Sequence, residues 1–482
     1  MSEILLPDFN HPPEREATKK IVLLIATLTS FLAPFMGSSV NIALPVIGKE
    51  FSMDSILLSW ITTAYILAVA ILLVPFGRIA DIHGRKKIFT LGMLIFLVSS
   101  LLTASSTSAR ELIAFRLLHG IGSAMILSTG VAILTSVYPS GERGRVLGIN
   151  VASVYFGLSV GPFFGGLLTE YFGWRSIFLA AVPLAVIIIY LLFTKLESDW
   201  AEAKGEKFDF VGALIYSFSI VAIMYGFSLL PSVSGLGVVL GGIIGIAAFL
   251  QWEIRVDYPV LAIDMLRKNT VLTFSSVAAF INYSATFATG FILSLYLQYI
   301  KELNPHYAGL ILISQPAVMA LFSPFAGRLS DRFEPRIVAS SGMGLITAGL
   351  LLFIFLDEKT TLGFIIVTLI LSGLGFAFFS SPNTNAVMGS VEKRLFGVAS
   401  GILATMRSTG MMFSMGITMV IFALLIGKVE ITAPHYPQFL KSVKVIFTVF
   451  TILSFGGIFA SLARGDKGKI EISYSKKKRP TE

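Results

Sequence analysis

The sequence has no cysteine among its 482 residues and little charge, since Asp, Glu, Lys and Arg together make up 13%. Without cysteine, neither a disulfide framework nor a thiolate metal site can form. With so few charges a folded chain cannot cover its surface for water, and 55% of the residues are hydrophobic, with a mean hydropathy of +0.82. These absences exclude a soluble globular protein and predict a membrane protein.

Nucleotide and metal signatures are missing as well. The sequence has no phosphate-binding Gly-Lys-Ser/Thr loop, and its five histidines show no metal-ligand spacing. We therefore expect no enzyme activity, no cofactor and no metal. The net charge of +9 would suit a nucleic acid, but the basic residues lie in loops and in the tail, where membrane topology requires them. We expect a lipid bilayer around the protein and no nucleic-acid partner.

Long apolar runs fill most of the chain. A helix needs roughly 20 apolar residues to cross a hydrocarbon core of about 30 Å, and lipid-exposed backbone must satisfy its own hydrogen bonds. The runs therefore predict an all-α polytopic membrane protein with fourteen transmembrane helices. They are 21–44, 57–79, 88–106, 110–137, 145–170, 175–195, 208–230, 234–254, 270–298, 306–330, 336–356, 361–382, 395–426 and 442–464.

Basic residues set the predicted orientation. An even number of spans places both termini on one side, and most of the loop Lys and Arg residues lie on that side. Because such an excess marks the cytoplasmic side, we expect both termini in the cytoplasm and the protein in the plasma membrane. Residues 1–20 are polar and precede a run long enough to span, so we expect a retained segment rather than a cleaved signal.

One short sequence occurs twice. Gly77-Arg78-Ile79-Ala80-Asp81 follows the second run, and Gly327-Arg328-Leu329-Ser330-Asp331 follows the tenth. The repeat indicates two related six-span halves, a plan typical of secondary transporters with a central substrate site. The predicted divisions are a cytoplasmic segment 1–20, a first bundle 21–195, a linker with two extra helices 196–254, a cytoplasmic interfacial segment 255–269, a second bundle 270–464 and a basic tail 465–482.

Three stretches of the first half carry a family resemblance: Gly77–Lys87, Arg116–Gly122 and Gly157–Gly166. They resemble motifs of the major facilitator superfamily, and more narrowly of its fourteen-span drug:proton antiporter branch, over roughly residues 20–465. The resemblance implies the major-facilitator fold, with two six-helix bundles plus two extra central helices. It also implies a secondary transporter that exports small molecules by alternating access, coupled to protons. We expect a monomer.

The first of these motifs predicts a cytoplasmic gate. A glycine lets two helices approach closely, and Asp81 lies near Arg85, where an ion pair can form. Such contacts can latch the cytoplasmic sides of the two halves and break on switching. A simple anchor of positive charge for topology is the alternative. The predicted gate residues are Gly77, Arg78, Asp81, Gly84, Arg85, Arg328 and Asp331.

Two arginines lie inside predicted spans. Arg116 is about 10 Å along the fourth span, and Arg407 is near the middle of the thirteenth. A charge at that depth is expensive and usually faces a cavity. The alternative for Arg116 is snorkelling to the outer interface, and for Arg407 it is a structural role satisfied by backbone carbonyls. The resemblance implies that Arg116 takes part in coupling.

Small residues four positions apart mark one face of the fifth span. Such a face allows tight helix packing, and a proline within it weakens the local hydrogen-bond ladder. A glycine-rich face is common in membranes, but the motif resembles a signature that the family associates with exporters. Its residues are Gly157, Gly161, Pro162, Gly165 and Gly166.

An expected acid is absent from the first span. Relatives of this branch commonly carry one ahead of a stretch that survives here as Val40–Pro45, but this chain has Met36 at that position. None of its acids lies in the middle of a span. A buried carboxylate can take up a proton and neutralise a cationic substrate. Its absence favours an anionic, zwitterionic or neutral lipophilic substrate.

Proton coupling then needs another route. Glu111 and His119 are eight residues apart and share one helix face beside Arg116, so we expect them to carry it. A histidine that is merely hydrogen-bonded is the alternative. Further candidates for the lining of the path are Asn41, Asn282 and Tyr283.

Two other functions remain open. One is a facilitator or importer of a specific anionic or zwitterionic metabolite, and the other is a non-transporting membrane sensor or scaffold. Counterflow without pH dependence would favour the first. Tolerance to the combined loss of Asp81, Arg116 and Arg407 would favour the second.

Overall fold

The computed structural model describes residues 12–139, 142–196, 199–261, 263–392 and 395–464, with the side chains of 12–17 and of residue 144 left aside. The predicted basic tail and the first eleven residues of the N-terminal segment lie outside this part of the chain. Helices dominate the described residues, and no strand occurs among them.

The first six helices form one bundle. Polar residues start several of them: Asp54 accepts hydrogen bonds from the amides of Ile56 and Leu57, and Ser108 accepts one from Glu111. Within the bundle α1 packs on α5, α2 on α4, and α3 on α4 and α6. The helices are α1 (Pro12–Glu50), α2 (Ser55–His83), α3 (Arg85–Ala104), α4 (Ala109–Val137), α5 (Arg143–Phe172) and α6 (Arg175–Lys195).

The last six spans form a second bundle, in which α10 packs on α16 and α17, and α14 packs on α15 and α17. Two of these spans are interrupted. The ninth consists of α10 (Thr270–Thr286), α11 (Ala288–Leu295) and a π-helical turn at Tyr296–Ile300, and the tenth consists of α12 (Pro305–Leu312) and α13 (Ser314–Arg332). The others are α14 (Pro335–Phe353), α15 (Leu362–Gly389), α16 (Phe396–Leu425) and α17 (Tyr436–Leu462).

Two extra helices, α7 (Phe210–Leu229) and α8 (Val233–Glu253), stand between the halves in sequence. They pack on each other, and α7 also packs on α2 of the first bundle and α16 of the second. The hydroxyl of Tyr216 donates to the carbonyl of Ala70 at 3.0 Å. On α16, a Cβ added to Gly416 would stand 2.6 Å from the ring of Phe227. A short helix, α9 (Ile263–Lys268), precedes the ninth span. Helix α7 therefore covers the seam between α2 and α16.

Within the described residues, fourteen helical segments are long and apolar enough to cross a membrane. The predicted all-α polytopic fold with fourteen spans is confirmed. Because successive spans run in opposite directions, the bundle has two faces. We call the one with the start of α1, the turn at Gly84 and residues 199–206 the linker face. The far face carries the turns 51–54, 105–108 and 426–432.

Candidate functional site

The two bundles are joined by hydrogen bonds at the far face. Ser55 of α2 donates from its amide to the carbonyl of Val429 at 3.1 Å and from its hydroxyl to that of Gly427 at 2.9 Å. Ser294 of α11 donates to the carbonyl of Asn41 on α1 at 2.6 Å. These bonds end on main-chain carbonyls, so the contact depends on how closely the backbones approach.

The α5–α12 side of the far face is packed more tightly still. The carboxylate of Glu170 accepts hydrogen bonds from the side chain of Asn304 at 2.7 Å and from the amide of His306 at 3.1 Å. Beneath them, a Cβ on Gly166 would stand 2.9 Å from the carbonyl carbon of Pro305. One on Gly309 would stand equally close to that of Pro162 and closer to its oxygen. The backbones of α5 and α12 therefore meet with no room for a methyl group.

The predicted packing motif of α5 serves two contacts. Gly157, Gly161 and Gly165 face α1, where an added Cβ would collide with backbone or side-chain atoms of Phe31, Ser38 and Ser39 respectively. Gly166 faces the other bundle instead. The motif thus binds α5 to its own bundle along most of its length and to the second bundle at the far face.

At mid-depth a polar group bridges four helices. Arg407 of α16 donates from Nη2 to the hydroxyl of Thr384 on α15 at 2.7 Å, and its guanidinium carbon lies 5.8 Å from the ring centre of Tyr283 on α10. Tyr155 of α5 donates to the hydroxyl of Ser380 at 3.2 Å, and Ser380 lies one helix turn before Thr384, whose hydroxyl donates to the Ser380 carbonyl at 2.9 Å. Of the described hydrogen bonds between the bundles, the one from Tyr155 to Ser380 is the nearest to the linker face. We call Arg407, Thr384, Tyr283, Tyr155 and Ser380 the central cluster.

Sequence reasoning found part of the central cluster. Arg407 and Tyr283 were predicted to line the path, and the structure brings them together with both side chains half-buried. Tyr155, Ser380 and Thr384 were missed. The available signal was Tyr155, a phenol placed two residues before the glycine face of α5.

The structure does not place Arg116 in either of the two predicted surroundings, a cavity or the outer interface. Arg116 is 1% exposed inside the first bundle, with Nε donating to the carbonyl of Ile61 at 3.2 Å and Nη1 lying 3.0 Å from Nδ1 of His119. The rings of Tyr65 and Phe178 flank its guanidinium at 4.5 and 5.9 Å. It therefore neither faces a cavity nor snorkels, because its own bundle encloses it.

The predicted partnership of Glu111 and His119 is not formed. The exposed carboxylate of Glu111 accepts hydrogen bonds from the amide and the hydroxyl of Thr107, both at 2.9 Å. His119 is fully buried, and its Nε2 has no partner among the described residues.

From this geometry we expect proton coupling, where present, to survive both Glu111→Gln and His119→Gln. The first removes an exposed carboxylate, and the second keeps an acceptor for Arg116. Solute flux driven by an imposed pH gradient in proteoliposomes measures this. Loss of the pH dependence in either variant, with solute counterflow retained, would restore that residue as the proton carrier.

The remaining lining candidates have separate places. The amide oxygen of Asn41 accepts a hydrogen bond from the hydroxyl of Thr62 at 3.1 Å, and Asn41 is half-buried where α1 and α2 approach α11. Asn282 is fully buried in the second bundle, and neither atom of its amide has a partner among the described residues.

On the linker face, the loop after α2 binds the linker. The guanidinium of Arg85 donates to Asp81 at 2.8 Å, to Ser136 at 2.6 Å and to Glu202 at 2.7 Å. Two backbone bonds add to this: the amide of Arg85 donates to the carbonyl of Trp200 at 2.8 Å, and the amide of Ala203 to that of Asp81 at 2.9 Å. The acidic linker residues 199–206 thus bind the basic loop, and we call them the linker strap.

The ends of the strap are also fixed by charge. Arg78 pairs with Glu206, and Asp199 accepts a hydrogen bond from the amide of Lys86 at 2.9 Å. Gly84 turns between them with φ of +118°, and a Cβ there would collide with the carboxylate of Asp199. Gly77 lies inside α2 near Ser128.

The repeated loop of the second half differs. Arg328 and Asp331 are exposed, and neither side chain has a hydrogen bond or ion pair within the described residues. The predicted ion pair of Asp81 with Arg85 is formed within the first half, and a latch between the two halves stays a prediction. The first loop binds the linker, because the linker supplies the acids.

We expect Gly84→Ala to lower thermal stability. The backbone conformation strains any other residue by about 1–3 kcal/mol, and the methyl group displaces Asp199. Gly148→Ala is the matched control, because nothing lies within 4 Å of its Cβ position. Thermal unfolding of the purified protein should show a lower midpoint for Gly84→Ala alone. Equal midpoints for both variants would contradict the strained turn.

Comparison with known proteins agrees with this architecture. The sequence model described as Major Facilitator Superfamily matches residues 26–255 and 275–481. The chain is similar to the riboflavin transporter RibZ of Clostridioides difficile, with 31% identity covering 81% of this chain and 85% of that one. The chain therefore belongs to the Major Facilitator Superfamily, and it is a transporter rather than an enzyme.

Other relatives are named for drug resistance. The chain is 27% identical to the multidrug resistance protein Stp of Mycobacterium tuberculosis, covering 81% of this chain and 74% of that one. It is 28% identical to the methylenomycin A resistance protein of Bacillus subtilis, covering 84% and 87%. The predicted resemblance to the drug-efflux branch is confirmed.

A solved structure shares the fold. It is a bacterial homologue of the human lysosomal transporter Spinster in an inward-facing and unoccupied conformation, with a TM-score of 0.66 and 15% identity, covering 94% of this chain and 98% of that one.

Proposed function

We propose that the protein is a secondary active exporter of lipophilic or amphipathic small molecules that works by alternating access. One observation carries this proposal: the described hydrogen bonds between the bundles lie at the far face and at mid-depth, and the nearest to the linker face is that of Tyr155 to Ser380. In the proposed cycle this conformation is open to the linker face, and a path leads from that face to the central cluster and ends at the far-face contact.

The proposal includes orientation. We assign the linker face to the cytoplasm, because most loop Lys and Arg residues lie there. The plasma membrane, cytoplasmic termini and a monomeric state are parts of the same proposal. So are the divisions 21–195, 196–254, 255–269 and 270–464, for which the packing of α7 on both bundles supports a bridging insert.

Protons are the proposed driving ion. No Gly-Lys-Ser/Thr loop is present in the sequence to supply nucleotide energy, and the relatives named for drug resistance support export. The gate residues of the first loop take part through the linker strap, which ties α2 and α3 to the segment leading into α7.

Everted membrane vesicles containing the protein test export directly. We expect them to accumulate a neutral or anionic lipophilic dye when the interior is acidified, and to lose it when nigericin collapses the pH gradient. Vesicles containing Gly309→Ala provide the inactive comparison. Uptake that is unaffected by nigericin would exclude proton-driven export.

A second function has a specific observation in its favour. The similarity to a relative named as a riboflavin transporter supports a facilitator or importer of a single metabolite. Counterflow of labelled riboflavin in proteoliposomes without pH dependence would replace the exporter proposal. A sensor or scaffold function would be supported only if a triple variant lacking Asp81, Arg116 and Arg407 kept the biological activity of the parent protein. A transporter should not tolerate that combined loss.

A further inference from the structure

The central cluster contains a positive charge with no counter-charge. Arg407 lies eleven residues into α16, about 16 Å along the helix and so near mid-bilayer. A guanidinium has five N–H donors, yet one donor is bonded to Thr384, and the buried Nε has no partner within the described residues. In that same part of the chain no carboxylate forms an ion pair with Arg407.

An unpaired charge at this depth is expensive, and arginines in such places normally pair with an acid or face a water-filled path. No side chain of the described protein supplies the missing charge. An anionic solute that binds beside Arg407 would neutralise this charge.

The surroundings of Arg407 suit an oxyanion. Ser380 and Tyr155 are hydroxyl groups that can donate to an acceptor, and they reach the same region from α15 and α5. Thr384 positions the guanidinium by accepting from Nη2 of Arg407, while its own hydroxyl donates to the carbonyl of Ser380 at 2.9 Å. A guanidinium with neighbouring hydroxyls matches the planar, two-oxygen shape of a carboxylate. A cationic solute would meet repulsion here with no compensating acid.

One wall of the cluster is aromatic. The half-buried ring of Tyr283 packs edge-on against Phe376 with centres 5.7 Å apart, and its face is turned toward Arg407. Such rings favour a flat apolar body beside the charge, since aromatic pairs are more favourable than their buried area alone would make them. The site therefore combines an anion position with an aromatic position.

We propose that Arg407 binds the carboxylate of an aromatic, amphipathic substrate, with Ser380 and Tyr155 as hydroxyl partners and the ring of Tyr283 packed against its apolar body. The hydrogen bond from Tyr155 to Ser380 joins α5 of the first bundle to α15 of the second. A carboxylate that recruits the Tyr155 hydroxyl replaces that bond, so occupancy of the site changes a contact between the moving halves. This proposal rests on the proposed function as a transporter.

Binding of a matched pair of probes tests the charge requirement. We expect 2-naphthoate, but not 2-naphthamide, to raise the thermal unfolding midpoint of the purified full-length protein at neutral pH. Arg407→Gln should weaken naphthoate binding by about tenfold or more, as expected for loss of a charged hydrogen bond, and should remove the difference between the two probes. Arg407→Lys should retain part of the preference, because the charge remains.

Controls separate binding from folding. Arg332→Gln removes an exposed arginine at the end of α13 and should leave naphthoate binding unchanged. If Arg407→Gln does not fold, Thr384→Val, which keeps the charge and removes the hydroxyl, should weaken binding by about threefold to tenfold.

Three results would overturn the proposal: no stabilisation by naphthoate up to millimolar concentration, equal stabilisation by the amide, or an unchanged preference in Arg407→Gln. Because the measurement is of binding, it separates this proposal from the proposed function. A protein that moves dyes in vesicles without any preference for the carboxylate remains an exporter and lacks this site.

Discussion

Transport should stop when a single methyl group is added to Gly309. A Cβ at this position would stand 2.9 Å from the carbonyl carbon of Pro162 and closer to its oxygen, both of which are backbone atoms that no rotamer change can move. Helix propensity would by itself favour alanine over glycine by about 0.5–1 kcal/mol. The loss therefore comes from the contact between α5 and α12, which cannot close, so the protein cannot reach the conformation described here.

Cross-linking measures the closure. The chain has no cysteine, so Glu170→Cys with Asn304→Cys, whose parent side chains are 2.7 Å apart, forms the only reactive pair. We expect a short bis-methanethiosulfonate reagent to join them rapidly, and at least tenfold more slowly when Gly309→Ala is added. Gly344→Ala is the matched control, because nothing lies within 4 Å of its Cβ position. Undiminished transport and cross-linking in Gly309→Ala would show that the far-face contact is not a gate.

Removing the side chain of Arg85 should release the linker from the loop. Its guanidinium is nearly buried and binds Asp81, Ser136 and Glu202 together. Hydrogen bonds to charged groups contribute about 1.5–3 kcal/mol, and the exposure of Glu202 places the loss near the lower figure. We expect Arg85→Ala to raise the undocked fraction of the linker about tenfold and to reduce transport, because α2 and α3 lose their tie to α7.

The docked state has a direct reporter in Ala203. This residue is 8% exposed and its amide donates to Asp81, so a maleimide should label Ala203→Cys slowly in the parent and about tenfold faster with Arg85→Ala. Lys87→Ala serves as the control, since Lys87 is 76% exposed and lies 4.0 Å from Asp199. Equal labelling rates in the parent and Arg85→Ala would mean that backbone bonds alone hold the strap.

Hydropathy was sufficient to predict the fold from the sequence. A bilayer admits only helices as spans for such runs, so their number followed from counting, and the repeat of Gly77–Asp81 at 327–331 indicated two related halves. The helix breaks at Phe287 and Ile313 were not predicted. They interrupt the regular structure by one residue each and leave the hydropathy of the span unchanged.

The candidate site was harder to predict, because the sequence indicates how deep a residue lies along a helix but not which neighbouring helices its side chain meets. Arg116 and Arg407 look alike on that basis, yet one is enclosed by its own bundle and the other is half-buried between the bundles. The strap was also missed as a binding partner. Its acids Asp199, Glu202 and Glu206 complement the basic loop, and that match of charge was the signal available.

Helix α7 covers one of the two seams between the bundles, the one between α2 and α16. It closes the slit between α2 and α16 through Tyr216 and the ring of Phe227. Among the described residues, no extra helix packs over the seam between α5 and α13. We therefore expect a photoreactive lipophilic probe in the linker-face leaflet to label α5 and α13 in preference to α2 and α16, with equal labelling of the two sides counting against this. Under the proposed function, molecules that enter there from the bilayer would pass Tyr155, the phenol that joins the two bundles.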